Sequence, residues 1–190
     1  MKQMEEKILA EGQVLPGDVL KVGSFLNQNI DTVLLGQMAN EIARLFDGMG
    51  VTKILTIEAS GIAIAAAAGM AMGAPVLFAK KHRTSNVDGS VYSTTVHSFT
   101  HNEDYNVVVS RDYLTSADRV LLVDDFLANG KALEGLMDLC NQAGAELVGV
   151  AIAIEKCFTG AGDRMRAQGV HLESLAMIES MSQDEIVFRS

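Results

Sequence analysis

Two adjacent carboxylates, Asp124 and Asp125, follow directly after the apolar run VLLV at residues 120–123. An unbroken run of Val and Leu is typical of a strand that is covered on both faces, as in a parallel sheet. Ligands of open α/β sheets bind outside the carboxyl ends of such strands, where these two side chains would stand. Because carboxylates accept hydrogen bonds, the pair suits a ligand that presents neighbouring hydroxyl groups.

A loop of small residues comes next and leads into a predicted helix that begins near Gly130. The loop consists of Ala128, Asn129, Gly130, Lys131 and Ala132. Free N–H groups and the positive dipole at a helix start form an anion site, and glycine lets the backbone approach the anion closely. The acids could accept hydrogen bonds from hydroxyl groups, and the adjacent helix start could bind an anion. Together they indicate a sugar phosphate as the ligand.

Other motifs that join a strand to a helix fit these residues less well. A nucleotide P-loop needs glycine five residues before GK and Ser or Thr after it, but Asp125 and Ala132 stand there. The GxGxxG dinucleotide fingerprint is absent from every strand-to-helix turn of the sequence. Phosphoacceptor receiver domains need another Asp at a later strand end, where this chain has Glu155 and Lys156. A last alternative is that the two acids only cap the helix, although one acid would suffice for that.

Four apolar runs separated by helical patterns supply the elements that would position this site. The runs are TKILTI at 52–57, PVLFA at 75–79, RVLLV at 119–123 and ELVGVAIAI at 146–154. Helices are predicted from a cap at Asp31 to near Gly48, over 61–72 and over 130–143. This alternation predicts an α/β protein with a doubly wound, mostly parallel sheet. At 190 residues, a single domain spanning 1–190 is expected.

A polar segment at about 82–105 interrupts the alternation. It is rich in Ser, Thr, His, Asn and Asp, and it follows the basic cluster KKHR at 80–83. A long polar loop inside a compact domain is commonly a lid or a binding loop. A solvated hairpin with a charged edge is the alternative interpretation.

The charge balance restricts the classes of partner. Lys and Arg number 15 against 24 Asp and Glu, a net charge of −9, which argues against broad binding to nucleic acid or to an anionic membrane. Cys140 and Cys157 form neither a disulfide framework nor a CxxC zinc pair. The first residues, MKQMEEKILAEG, are acidic where a signal peptide would be basic, so a cytoplasmic protein is expected.

The strand, the Asp-Asp pair and the small-residue loop resemble the phosphoribosyl-pyrophosphate-binding motif of the type I phosphoribosyltransferases. The wider chain resembles the bacterial branch of that family that uses xanthine. This resemblance rests on ILAEG at 8–12, LKVGSFLN at 20–27, IEASG at 57–61, FAKKH at 78–82, VDDFLANG at 123–130, IEKCF at 154–158 and ESLA at 173–176. Family members commonly carry Thr or Ser where Asn129 and Ala132 stand, so amide or backbone N–H groups would replace those hydroxyls.

The resemblance implies the type I phosphoribosyltransferase fold and a role for each part of the motif. Asp124 and Asp125 would be the catalytic pair that accepts from the ribose hydroxyls, and the loop 128–132 would hold the 5′-phosphate. The pyrophosphate would contact Glu58, Ala59, Ser60, Gly61, Lys80 and Lys81. The segment at about 82–105 would be a flexible lid hairpin, with Tyr92 as a ligand contact, that excludes water when it closes.

A base site is implied as well. A small hood built from about 1–30 and 155–190 would hold xanthine through Leu20, Asn27 and Lys156. The amide of Asn27 and the ammonium of Lys156 suit the carbonyl and N–H groups of that purine. By itself, Asn27 reads as a turn residue. Phe158 either stacks on the base or belongs to the core.

The implied reaction is a purine-salvage transfer of phosphoribosyl to xanthine, releasing pyrophosphate. Mg²⁺ would arrive with phosphoribosyl pyrophosphate rather than in a protein cage. The resembled family is dimeric, which implies a homodimer. Hypoxanthine or guanine as the acceptor remains open. A non-catalytic sensor of phosphoribosyl pyrophosphate is the alternative from another class.

Overall fold

The computed structural model describes residues 1–82, 90–98 and 103–189. The strands are β1 (Gln13–Leu15), β2 (Val19–Lys21), β3 (Lys53–Ile57), β4 (Val76–His82), β5 (Val91–Ser98), β6 (Glu103–Ser110), β7 (Arg119–Leu127), β8 (Glu146–Lys156), β9 (Leu172–Met181) and β10 (Ile186–Phe188). The α-helices are α1 (Lys2–Glu11), α2 (Thr32–Leu45), α3 (Gly61–Met72), α4 (Lys131–Ala143) and α5 (Ala161–Ala167). A π-helical turn (Gly23–Asn27) precedes α2, and a 3-10 turn (Cys157–Thr159) precedes α5.

The predicted mostly parallel sheet is confirmed. Within the described residues eight strands form one sheet in the order β10-β9-β8-β7-β3-β4-β6-β5. The central strands β9, β8, β7, β3 and β4 run parallel, and β10, β6 and β5 add antiparallel edges. The four apolar runs correspond to four of these five central strands, β3, β4, β7 and β8. The sequence did not predict β9, α1 and α5, whose apolar patterns are short.

Apolar residues of the central strands alternate between two cores, one on each face of the sheet. Ile54 and Leu121 pack on the face that α2 and α3 cover. Leu55 and Leu122, their neighbours in sequence, pack on the other face against α4. The unbroken apolar runs therefore belong to strands covered on both sides. No helix in the described ranges combines the length and the apolar character that crossing a membrane requires.

The Asp-Asp pair lies inside a strand rather than after it, which corrects the predicted end of β7 at Val123. The strand continues to Leu127 because β8 runs beside it as far as Lys156. The ladder aligns Asp124 with Ile152 and Leu127 with Glu155. Strand pairing therefore fixes the backbone of Asp124 directly and holds Asp125 between two paired residues, Asp124 and Phe126.

The described part of the polar segment forms an antiparallel hairpin of β5 and β6, which extends to Ser110, beyond the predicted limit. The hairpin packs on α4, since a Cβ added at Gly135 would stand only 2.6 Å from Cγ2 of Val96. The rest of the predicted lid, at 83–89 and 99–102, lies outside the described residues.

A buried ion pair joins α5 to the carboxyl end of β8. Glu155 is fully buried and accepts two hydrogen bonds from the guanidinium of Arg166, at 2.9 and 2.6 Å. The hydroxyl of Ser174 also donates to this carboxylate. A side chain at Gly162 would overlap with it, so the glycine lets α5 approach closely. The cluster fixes the chain next to Lys156.

We expect Arg166→Met to lower the free energy of unfolding by about 3 kcal/mol, because the buried Glu155 carboxylate would lose its partner. Arg44→Met is the matched control, since Arg44 donates two hydrogen bonds of 2.8 Å to Glu41 but is 67% exposed. Its loss should be small because solvent screens the pair. Urea unfolding followed by circular dichroism measures both variants. Equal losses would contradict the importance assigned to burial.

Candidate active site

Asp124 and Asp125 are both buried, with 5% and 8% of their surface exposed. Asp124 Oδ1 accepts a hydrogen bond of 2.9 Å from the backbone N–H of Asp125. Burial, and after it the neighbouring charge of Asp125, raises the pKa of Asp124 well above its ordinary value. Hydroxyl donors from a ligand would stabilise the charged form of this pair.

The two carboxylates have different neighbours, as expected for consecutive residues of a strand. Lys81 contributes positive charge near Asp124, which offsets part of its raised pKa. Burial, with the charge of Asp124 as a second cause, raises the pKa of Tyr105. On the other side, Asn27 Nδ2 lies 3.5 Å from Asp125 Oδ2. The structure thus brings together the acid pair and two further predicted site residues, Lys81 and Asn27.

The predicted phosphate loop leads into α4 through Gly130, whose φ of 86° lies in the left-handed region that favours glycine. Asn129 Oδ1 accepts from the N–H of Lys131 at 3.0 Å, and the Lys131 ammonium donates to Glu134 at 2.6 Å. The loop forms one wall of a cavity of about 190 Å³. The cavity is lined by Val96, His97, Tyr105, Phe126, Leu127, Ala128, Asn129, Gly130, Lys131, Ala132 and Leu133.

The loop between β3 and α3 packs directly against the acid pair. It contains a cis peptide bond between Glu58 and Ala59 and ends at Gly61, where α3 begins. A Cβ on Gly61 would overlap with the hydroxyl of Thr56 and lie 2.9 Å from Asp124 Oδ1. Only glycine therefore lets this helix start come so close to the acid. The hydroxyl of Thr56 has no hydrogen-bond partner within the described part of the chain.

The remaining residues of the predicted pyrophosphate site lie around this loop. Glu58 accepts a hydrogen bond of 2.6 Å from the backbone N–H of Lys81, which ties the loop to β4. Ser60 occupies the position before α3 and makes no side-chain cap. The ammonium of Lys81 lies 5.2 Å from the ring centre of Tyr105. Because side chains alternate along a strand, Lys80 points to the opposite face.

The predicted base site lies where the N-terminal hairpin meets the end of β8. Lys156 donates a hydrogen bond of 2.6 Å to the backbone oxygen of Asp18, and its ammonium lies 5.6 Å from the ring centre of Phe126. Burial lowers the pKa of Lys156. Leu20 is 6% exposed and packs in the core, so only its main chain could meet a ligand. Phe158 is 41% exposed and is therefore not a core residue.

Tyr105, which the sequence did not single out, lines the cavity, whereas Tyr92 does not. Tyr105 pairs with Val96, and Tyr92 stands four residues earlier on β5, about 13 Å away along the strand. The ring of Tyr92 instead lies 4.6 Å from the guanidinium carbon of Arg111. Both tyrosines fall on the same face, so only the register of the hairpin distinguishes them.

Comparison with known proteins identifies relatives of this chain by sequence. The model of the phosphoribosyl transferase domain matches residues 27–178. A xanthine phosphoribosyltransferase from Bifidobacterium longum subsp. infantis is 52% identical over 192 aligned residues, covering 100% of both chains. Another from Finegoldia magna is 50% identical and covers 99% of each chain.

Solved structures share the fold at much lower identity. APRTase from Giardia lamblia, complexed with 9-deazaadenine, has a TM-score of 0.75 at 18% identity and covers 90% of this chain and 96% of its own. Adenine phosphoribosyltransferase from Rhodothermus marinus has a TM-score of 0.73 at 20% identity, covering 92% and 98%. The domain match and the full-length relatives show that the chain belongs to the phosphoribosyltransferase family.

Proposed function

We propose that this chain transfers the phosphoribosyl group of 5-phospho-α-D-ribose 1-diphosphate to xanthine in purine salvage, giving xanthosine 5′-monophosphate and pyrophosphate. The observation that carries the proposal is the buried pair Asp124 and Asp125 beside the loop 128–132. The two full-length relatives described above, which share about half of its residues, carry the xanthine name.

Each part of the site has a separate task in this reaction. The carboxylates accept from the ribose 2′- and 3′-hydroxyls, and the N–H groups at the start of α4 hold the 5′-phosphate. The loop 58–61 and Lys81 contact the pyrophosphate, and Lys80, whose side chain points to the other face of β4, can contribute only through its main chain. The negative charge of the acid pair stabilises the oxocarbenium-like ribose that forms as the bond from C1 to pyrophosphate breaks and a purine nitrogen attacks C1.

The donor set at this site fits Mg²⁺ carried by the substrate. Two carboxylates lie side by side, and oxygen ligands from carboxylate and phosphate are those that Mg²⁺ prefers. Asp124 and Asp125 would therefore hold the ion together with the substrate oxygens, and the ion would neutralise pyrophosphate charge.

The base would lie between the N-terminal segment 1–30 and the segment 155–190, which together would form the hood. Lys156 donates to a xanthine carbonyl once its bond to Asp18 is exchanged, and Asn27 offers a donor and an acceptor beside the ribose acids. Phe158 offers an exposed ring for stacking. We place the working enzyme in the cytoplasm as a homodimer, with the segment 82–105 as its lid.

The test of this function is to incubate the protein with phosphoribosyl pyrophosphate and Mg²⁺, to offer xanthine, guanine, hypoxanthine, adenine and orotate separately, and to measure released pyrophosphate. Xanthine should give the highest kcat/KM. Preference for guanine or hypoxanthine would overturn the assigned base. Absence of release with every base, despite binding of phosphoribosyl pyrophosphate, would support a non-catalytic sensor.

Asp124→Asn should cut kcat at least 100-fold, because a neutral amide cannot stabilise the cationic ribose.

The same change should stabilise the fold at pH 8, by about 2 to 4 °C in melting temperature, since it removes a buried charge beside Asp125. Because the pKa of Asp124 is raised in the folded state, the folded protein binds that proton more tightly than the unfolded chain does. The unsubstituted protein is therefore destabilised as pH rises and Asp124 loses its proton, whereas the Asn variant is not. Thermal melts between pH 5 and 8 should show the gap widening. A gap independent of pH would contradict this origin.

Lys156→Met should lower kcat/KM for xanthine about 10- to 100-fold, because it removes a charged donor to a carbonyl. Hypoxanthine, which lacks the carbonyl at C2, should lose less. Lys2→Met, at a side chain that is 85% exposed on α1, serves as the control. Steady-state kinetics with both bases measures the ratio. Equal losses for the two purines would argue against a contact at the C2 oxygen.

A further inference from the structure

Thr159, the last residue of the 3-10 turn after β8, connects two parts of the active site that lie far apart in sequence. Its hydroxyl lies 2.6 Å from the backbone oxygen of Ala128 and 2.8 Å from that of Lys156. Ala128 begins the loop assigned to the 5′-phosphate, and Lys156 is the residue assigned to the base. One hydroxyl proton is thus shared between the carbonyls of a phosphate-binding and a base-binding residue.

The segment that carries Thr159 also supports the phosphate loop by packing. A Cβ added at Gly130 would lie 2.8 Å from Cε of Met165 and 3.4 Å from Cβ of Ala161, both on α5. Helix α5 is itself held against β8 by the buried pair of Glu155 and Arg166. The phosphate loop therefore packs against a helix that is itself held in place. The hydroxyl of Thr159 adds a hydrogen bond between this segment and the loop.

We infer that Thr159 is a positioning residue that couples the base site to the phosphate site. The bond to Lys156 spans only three residues and is an ordinary local contact. The bond to Ala128 spans 31 residues and fixes the start of the loop relative to the turn that follows Lys156. A substrate that orders one side of this bond then lowers the cost of ordering the other, and the effect is reciprocal. The inference rests on the proposed function of the loop.

The test compares Thr159→Val, which keeps the shape and loses the hydroxyl, with Thr159→Ser, which keeps the hydroxyl. Thr159→Val should weaken binding of phosphoribosyl pyrophosphate with Mg²⁺ about five-fold, the value of one hydrogen bond. Xanthine should also increase this affinity less than it does in the unsubstituted protein. In turnover, KM for both substrates should rise more than kcat falls, and Thr159→Ser should restore both. Calorimetry with and without xanthine, followed by steady-state kinetics, measures these effects.

Thr115→Val is the matched control, since the Thr115 hydroxyl donates to Asp118 at 3.1 Å in a loop away from the site. It should change the melting temperature at most and leave the substrate affinities alone. Thr159→Val with normal affinities and coupling, whatever its melting temperature, would overturn the inference and leave the proposed function intact. If the unsubstituted protein fails to bind phosphoribosyl pyrophosphate, both the inference and the proposed function fall.

Discussion

The structure depends on keeping two adjacent carboxylates buried at one point of the sheet. Asp124 and Asp125 repel each other, and burial alone already raises the pKa of the first. The surrounding elements limit this cost. Strand pairing fixes the backbone of Asp124 and of the residues on either side of Asp125, the N–H of Asp125 donates to Asp124, and Lys81 supplies nearby positive charge. Such a pair is unfavourable without a ligand, and hydroxyl donors from a ligand would stabilise it; sites often lose fold stability in this way for the sake of activity.

An acidic chain that binds a highly charged anion must do so with local groups. The net charge of −9 provides no long-range attraction, so the affinity has to come from helix starts and a few cations close to the acids. We propose that two helix starts serve this purpose in the fold. That of α3 approaches the acids because Gly61 has no side chain, and that of α4 follows the left-handed turn at Gly130.

The residues proposed to bind the base differ in position from those proposed to bind the phosphates. Adenine phosphoribosyltransferases share the fold at about one fifth identity, whereas the relatives that share half of the residues are xanthine enzymes. The residues assigned to xanthine lie on the N-terminal segment and at the carboxyl end of β8, where Lys156 is the last residue of the strand. Their positions depend on the contact of Lys156 with Asp18 and on the ion pair of Glu155 with Arg166.

The sequence by itself determined the parts that depend on local pattern. Apolar runs predicted four of the five central strands, Asp31 caps α2 as expected, and the Asp-Asp pair with its small-residue loop predicted the candidate site. Tertiary structure decided which side chains face that site. It placed Lys81 rather than Lys80 beside the acids, lined the cavity with Tyr105 rather than Tyr92, buried Leu20 and connected Thr159 to Ala128. These outcomes follow from strand register and long-range packing, and a shift of one residue in register reverses every face, so local pattern alone does not fix them.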